Sequence, residues 1–421
     1  MTEYIFGQDG QVVEDYIINE FKLNFKEKEF IYEEDNLIYD FVGFVYKNDK
    51  ILVVFPKHYM DNLKEINNED IELLFKVIKQ YNMDLNSAIA EKYYGYKNNY
   101  KSDYPFEAFY EIYDYYIRYG LYKNNVIRDK ANCNNRISWK TTMRKSNIIV
   151  SDENLLYLPL YSKSEEEKHT FIGECMTFII NHTIELFPFI GSLKRVNEMS
   201  HTIDLINNRE SVLRELYVYR SKVFKDSEIK LIDAIIQYLQ EIKNISNGGA
   251  IHIKIKYFEH IWERMINKYL NEYFEGIEVK DIKNIKDVED VNLVFNNKEK
   301  TNKFKFIKDH KLIDARFNDK NILEPDFYFE NEKEMYVFDA KYYNNLDSIE
   351  YKQVAYTLLY GNRKTKGEKE IYSALFLPGT KTNKFNVLLD EEFKQQKDGC
   401  NFIIEQYLDV KAIMKNYINM K

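Results

Sequence analysis

The residues of this 421-residue chain best suited to chemistry lie between Glu324 and Tyr343. Asp326 directly follows Pro325, and two short β-prone runs flank the polar segment Glu330 to Glu334, which predicts a hairpin. The second run, Met335 to Lys341, ends in Asp339-Ala340-Lys341. Residues two apart on a strand point to the same face, so Asp339 and Lys341 project together while Ala340 faces away. Asp326, at the start of the partner strand, can lie beside them. Two carboxylates and an amine on one patch suit metal-assisted phosphodiester hydrolysis. Hard oxygen ligands hold Mg²⁺, with Mn²⁺ as the alternative cofactor. Such a metal polarises the scissile phosphate and lowers the pKa of a bound water. Lys341 can orient that nucleophile and stabilise the charge growing on the phosphate.

In a chain that is 30% charged a bare Pro-Asp…Asp-x-Lys pattern is weak, so the elements around it matter. The stretch Ile255 to Ile266 reads as an amphipathic helix with Phe258, Ile261, Trp262 and Met265 on its apolar side. Glu259 and Glu263 are four apart and share a helix face, so either can bring a third carboxylate to the metal patch. Asp347 to Tyr360 predicts a second helix, and from it Gln353 can contact the phosphate backbone or lie as a plain surface amide. Ile371 to Leu377 predicts another buried strand before Pro378-Gly379. Helix, hairpin, helix and strand in that order make an α/β core with a mixed sheet.

Upstream, residues 1–130 read as β-rich and then helical. The apolar runs Asn36 to Val45 and Lys50 to Phe55 flank Tyr46-Lys47-Asn48-Asp49, a hairpin signal, and Pro56 closes the second strand. Ile71, Leu74, Phe75 and Ile78 fall at helical spacing, as do Phe106, Phe109, Ile112 and Tyr116. Residues 131–245 are expected to be mainly helical, with an apolar stripe of Leu231, Ala234, Ile235, Tyr238 and Leu239. The Asn/Ser/Gly cluster Asn244 to Ala250 is the best linker candidate and places the chief boundary before a domain at 250–421. No Gly-rich loop ending in Gly-Lys-Ser/Thr occurs, so any nucleotide hydrolysis belongs to another chain.

Composition bounds the rest. A net charge of −8 excludes a uniformly basic binder but not a local basic groove. Residues 251–421 carry 29 basic and 29 acidic side chains, the first 250 carry 31 and 39, so the C-terminal part is the less hostile half for DNA. Three scattered cysteines argue against a disulfide framework. The start shows no signal peptide, and the apolar stretch Phe171 to Ile190 is broken by Glu174, Asn181, His182 and Glu185, so a cytoplasmic chain without membrane spans is expected. His252 and His260 near the first helix read as structural. Trp139 and the aromatics from Tyr110 to Tyr116 can stack bases or pack a core. Arg363, Lys364, Lys366 and Lys369 form a basic loop that can touch phosphates or simply be solvated.

At these residues the chain resembles the PD-(D/E)xK nuclease superfamily, and more narrowly the nuclease subunit of McrBC-type restriction systems, the McrC and LlaJI-type proteins. The likeness rests on Phe258-Glu259-x-x-Trp262-Glu263, Pro325-Asp326, Asp339-Ala-Lys341-Tyr342 and Lys352-Gln353-x-x-Tyr356. Upstream it rests on Phe41-Val-Gly-Phe44 through Val54-Phe-Pro-Lys57-His58-Tyr59 and on Ile137-Ser-Trp-Lys-Thr-Thr142. The resemblance implies a restriction-endonuclease-like core that cuts double-stranded DNA with Mg²⁺. It makes Asp326 and Asp339 metal ligands and Lys341 the catalytic lysine, with Glu259 or Glu263 as the helix acid. It also implies an N-terminal part that docks on a McrB-like AAA+ GTPase and stimulates it, with Lys57 marking the partner-facing surface. A self-sufficient restriction endonuclease and a non-catalytic adaptor of a partner NTPase are the rival expectations.

Overall fold

A computed structural model of the chain describes residues 3–85, 100–132, 136–151, 154–191, 193–197, 204–242, 250–279, 291–296, 299–309, 311–312, 322–343, 351–361, 369–388 and 402–419. The linker 244–249, the start of the helix expected from Asp347, and Arg363, Lys364 and Lys366 lie outside the described residues. The chain divides into two compact units, Met1–Ser102 with Ala250–Lys421, and Asp103–Gly249. Among the described residues no helix is long and apolar enough to cross a membrane.

The first unit holds two five-stranded sheets. One runs in the order Glu3–Gln8, Lys50–Phe55, Val42–Lys47, Ile251–Ile255, Tyr100–Ser102. Its central hairpin is the expected one: Val42–Lys47 and Lys50–Phe55 pair antiparallel across Asn48 and Asp49. Both turn residues have positive φ, the geometry that matches the strand twist in a two-residue hairpin. The run Asn36 to Val45 is not one strand, because it breaks at Asp40-Phe41 and Asn36–Tyr39 pairs instead with Phe30–Glu33. Ile251–Ile255, just past the linker, returns to this sheet against Val42–Lys47. Gly43 permits that approach: a Cβ there would stand 2.1 Å from Ile253 O.

The second sheet is mixed, in the order Phe327–Glu330, Glu334–Ala340, Glu370–Gly379, Phe402–Asp409, Asn383–Leu388. Its first two strands form the expected hairpin, and its central three are parallel. The helix Tyr351–Gly361 lies between Glu334–Ala340 and Glu370–Gly379 in the chain and packs on both. The helix Glu259–Tyr273 buries Ile261, Trp262, Met265, Ile266 and Leu270. The chain is thus of mixed α/β class.

Ionic contacts tie the N-terminal segment of this unit to the C-terminal one. Asp84, at the end of the helix Asn68–Leu85, accepts from Arg264 (3.0 Å), Lys268 (2.8 Å) and the Tyr417 hydroxyl (2.8 Å). Asp70 pairs with Lys411 at 2.6 Å, and buried Glu29 pairs with buried Lys254.

In the second unit the helices Phe106–Tyr119, Phe171–Leu186 and Asp226–Glu241 bury the apolar stripes expected of them. The segment 123–169 departs from the mainly helical expectation. Lys123–Ala131 pairs with Tyr161–His169, and Asn147–Ser151 with Asn154–Leu158. Ile148, Ile149, Val150, Leu155 and Leu156 of the second pair are all exposed, so no alternation of buried and solvated positions marks these strands in the sequence.

Replacing Asp84 with Ala strands the Arg264 and Lys268 cations beside a buried tyrosine. Urea unfolding is expected to show a loss of about 3 kcal/mol, the usual result of breaking a largely buried pair from one side. A loss under about 1 kcal/mol would make the cluster equivalent to a surface pair.

Candidate active site

Three elements end together around Lys341. Lys341 N–H donates to Phe376 O at 2.9 Å, extending the ladder one residue past the strand Glu334–Ala340. The same carbonyl accepts from Trp262 Nε1–H at 3.3 Å. Trp262 is fully buried, so one oxygen fixes the helix Glu259–Tyr273, the strand Glu370–Gly379 and the base of Lys341 relative to each other.

Asp326 and Asp339 hold each other through the backbone. Asp326 N–H donates to Asp339 Oδ1 at 3.3 Å, and Ala340 N–H donates to Asp326 Oδ2 at 3.0 Å. Asp339 is 1% exposed. Burial first, then the charges of Asp339 and Glu263, push the Asp326 carboxyl well above the usual carboxylate range. A carboxyl cut off from water beside other carboxylates is costly to ionise. Lys341 Nζ lies 2.6 Å from Asp339 Oδ2, and Lys308 Nζ 3.8 Å from Asp326 Oδ1. Asp339 Oδ2 is nevertheless buried without a hydrogen-bond partner. The Lys341 ammonium balances its charge as an ion pair.

These features fit a hard divalent cation. Two adjacent carboxyls, one of them costly to ionise alone and the other with a buried oxygen short of hydrogen-bond donors, offer the hard oxygen ligands that such a cation would take. Among the described residues no three His, Cys, Asp or Glu side chains already form a closed ligand group. One or two carboxylates supplemented by water are the ordinary holding of Mg²⁺.

Of the two helix acids, Glu263 is the one whose charge acts on Asp326. Glu259 stands among groups of the N-terminal segment. Its carboxyl is raised by burial, with Lys57 and Lys28 opposing and Asp40 adding to the shift. Gln353 is fully buried rather than presented to a substrate. Its Nε2 donates to Val337 O (3.0 Å) and Ser373 Oγ (2.7 Å), joining two strands, and its Oε1 is buried without a partner. Lys369, the described member of the basic loop, pairs with Glu330 at 2.6 Å. His260 is half-buried, and burial followed by the charge of Lys308 pulls its pKa down to about 4, so it is neutral near pH 7.

Of two further cations near the aspartates, Lys308 carries no signal in the sequence, while Lys352 falls in the Lys352-Gln353-x-x-Tyr356 block. Lys308 reaches Asp326 because Ile307 bridges Tyr328, a pairing that no strand pattern announces. Lys352 precedes Gln353 and lies over the Tyr356 ring at 5.3 Å. Burial lowers its pKa, but the Tyr356 hydroxyl and the charge of Asp339 outweigh that and hold it up.

The sequence matches the LlaJI restriction endonuclease family over residues 41–394, a span that contains Glu259, Glu263, Asp326, Asp339 and Lys341. The chain belongs to that family. No curated protein matches it. Among solved structures, a chain of the refined half-complex from the tetradecameric assembly of Thermococcus gammatolerans McrB AAA+ hexamers with bound McrC is 13% identical. That match covers 99% of this chain and 98% of the other, with a TM-score of 0.36. A chain of the cryo-EM structure of the Thermococcus gammatolerans McrBC complex is 12% identical over 64% of this chain and 89% of its own, with a TM-score of 0.24. Membership of the LlaJI family rests on the sequence match alone.

In this family member the residue after Lys341 is the junction with the N-terminal sheet. The Tyr342 ring is buried against Phe258, and its hydroxyl accepts from Lys57 N–H at 2.7 Å and donates to the Asp9 carboxylate. A cleft of about 490 Å³ opens beside it, lined by Asp9, Asp40, Glu33, Glu34, Lys57 and Tyr343. Four acids against one lysine make that cleft a poor seat for phosphates.

Burial raises the Asp9 carboxyl to about 7, against the pull of Lys57 and Tyr342. The folded chain therefore keeps a proton that the unfolded chain releases near its ordinary value of about 4. Stability is expected to fall as pH rises from about 4 to about 7, by at most about 4 kcal/mol. Asp9→Asn keeps an acceptor for Tyr342 and should flatten this slope in urea unfolding at several pH values. An identical slope in both proteins would remove Asp9 as its source.

Proposed function

We propose that this LlaJI-family chain is the DNA-cutting subunit of a restriction system, with a Mg²⁺-dependent phosphodiesterase site of the PD-(D/E)xK type. The observation that carries the reading is the buried Asp326–Asp339 pair with Lys341 Nζ beside it at a strand end. A bound Mg²⁺, or Mn²⁺, would polarise the scissile phosphate and acidify a water ligand. Asp326 and Asp339 would supply its protein oxygens, and Glu263 the helix acid, acting from one turn beyond Glu259. Lys341 holds the attacking water and meets the charge building on the phosphoryl oxygens. Lys308 keeps Asp326 from facing Glu263 and Asp339 without compensation. Gln353 serves the site from within, by fixing the strands Glu334–Ala340 and Glu370–Gly379 on which Asp339 and Phe376 stand.

The substrate is double-stranded DNA, and the partner is a McrB-like AAA+ GTPase that the N-terminal part engages. Support for the partner is the resemblance of the Phe41 to Tyr59 segment. Because Ile251–Ile255 completes the N-terminal sheet, stimulation of the partner is a property to test on the intact chain rather than on a fragment ending at the linker.

Plasmid cleavage with Mg²⁺, with and without the candidate GTPase and GTP, tests both halves of this reading. Lys341→Ala is expected to lower cleavage about 100- to 1,000-fold, while the full-length variant stimulates GTP hydrolysis as wild type does. Cleavage by wild type alone would point to a self-sufficient endonuclease. GTPase stimulation without cleavage on any methylated or unmethylated plasmid would replace the nuclease with an adaptor. A separate titration with Mn²⁺ should show uptake that Asp339→Asn abolishes without loss of fold, and equal uptake by the variant would remove Asp339 from the ligand set.

A further inference from the structure

Although the first 250 residues hold all of the chain's net negative charge, they contain a strongly basic strip. Residues 123–145 carry Lys123, Arg128, Lys130, Arg136, Lys140, Arg144 and Lys145 against a single acid, Asp129. The strip spans the strand Lys123–Ala131 and the short helix Trp139–Lys145, both within the second unit.

The local fold turns this strip outward. Thr142 is fully buried and its hydroxyl exchanges hydrogen bonds with the backbone of Tyr161, while buried Ser138 donates to Asp129 at 3.1 Å. The side of the helix that packs is therefore the Ser138–Thr142 side. Trp139, Lys140, Met143 and Arg144 are all exposed. Residues four apart on a helix are neighbours, so the outer face carries a basic ridge, Lys140–Arg144, beside an apolar one, Trp139–Met143. Exposed Arg136 precedes the helix, and exposed Lys163 is the cross-strand neighbour of Asp129. The one acid does not cancel the field. Asp129 is occupied by the hydroxyls of Thr141 and Ser138, with Lys163 and Lys145 close by.

We propose that the face made by Arg136, Lys140, Arg144 and Lys163, with Trp139 and Met143, is a second DNA-binding surface. It would grip the sugar–phosphate backbone of a duplex without reading its sequence. Glu165, Glu166 and Glu167 of the paired strand lie opposite Ile127, Val126 and Asn125, so the cations still outnumber the acids here, and phosphates spaced along a duplex match such a local excess. The exposed indole and thioether can pack on sugar edges between phosphates, as aromatic groups interleaved with cations do in nucleic-acid grooves. The exposed apolar hairpin 147–158 is a different surface, without this charge. The proposal rests on the nuclease reading only for its choice of DNA as the polyanion.

Fluorescence anisotropy of a labelled duplex with the full-length chain, in EDTA so that nothing is cut, tests binding apart from catalysis. Arg136, Lys140 and Arg144 changed together to Ala should lower the salt slope of log Kobs by about 2.7, that is about 0.9 for each phosphate that the variant leaves unneutralised. Affinity at about 100 mM salt should fall at least tenfold while the thermal midpoint is kept, because all three residues are exposed. Trp139→Ala should weaken binding with the slope unchanged, and Lys140→Arg should bind like wild type. Equal affinity and slope in the triple variant would overturn the proposal. So would a variant that keeps its DNA affinity but no longer associates with the candidate GTPase, since the face would then be a protein interface. Wild type that cuts plasmid with the partner but shows no salt-dependent duplex binding would sink this surface and leave the nuclease reading standing. Wild type that binds the duplex as described but cuts under no condition would do the reverse.

Discussion

Two carboxylates held side by side out of water repel each other, and the repulsion grows as the surroundings become less polar. Asp326 and Asp339 are in that situation, and a free chain would relieve it by letting one of them swing into solvent. They stay because each accepts a backbone N–H belonging to, or next to, the other, so separating them would break the hairpin that carries both. The strand beneath Asp339 is fixed in turn by buried Gln353, and its neighbour Glu370–Gly379 by buried Trp262 at Phe376. Lysines 308 and 341 offset part of the charge, yet one oxygen still lacks a hydrogen bond. The two carboxyls are thereby held together at a cost that the neighbouring ammonium groups offset only in part.

The N-terminal sheet belongs to the same construction. Its central Gly43 admits the strand Ile251–Ile255, which lies four residues before the helix that positions Trp262 and Glu263. Ion pairs at Asp70, Asp84 and Glu29 fasten the same segments from outside the sheet. At the active-site end the backbone of Lys57 holds the hydroxyl of Tyr342, the residue after Lys341. A displacement at Lys57 thus has one hydrogen bond and one peptide to cross before it reaches Lys341. That short connection couples the end of the N-terminal sheet to the strand that carries Asp339.

Much of the site was legible because it is written in local rules. Strand alternation put Asp339 and Lys341 on one face, and polar residues between two β-prone runs gave the hairpin that brings Asp326 alongside. Helical spacing gave Trp262 its buried side. What stayed hidden depends on contacts between distant segments. Glu259 and Glu263 are equivalent by spacing, and only the packing of their helix directs one toward the aspartates and the other toward the N-terminal sheet. Lys308 arrives by a single bridge between Ile307 and Tyr328. Gln353 reads as a surface amide until the sheet closes over it. The strands of 147–158 leave apolar side chains in solvent, so the periodicity that reveals a half-buried strand is missing.

Charge shows the same division between sums and arrangement. Summed over long stretches, it made the C-terminal half the natural home of DNA and the first 250 residues an unfavourable one. Within a Debye length of about 10 Å, however, a phosphate responds to the few side chains nearest to it and hardly to a distant excess of acids. Around the helix Trp139–Lys145 those neighbours are cationic, and the lone Asp129 is turned to local hydroxyls. Beside Tyr342, by contrast, the 490 Å³ cleft is acidic. An acidic wall repels a polyanion. Net acidity is thus the background against which a local basic face becomes selective.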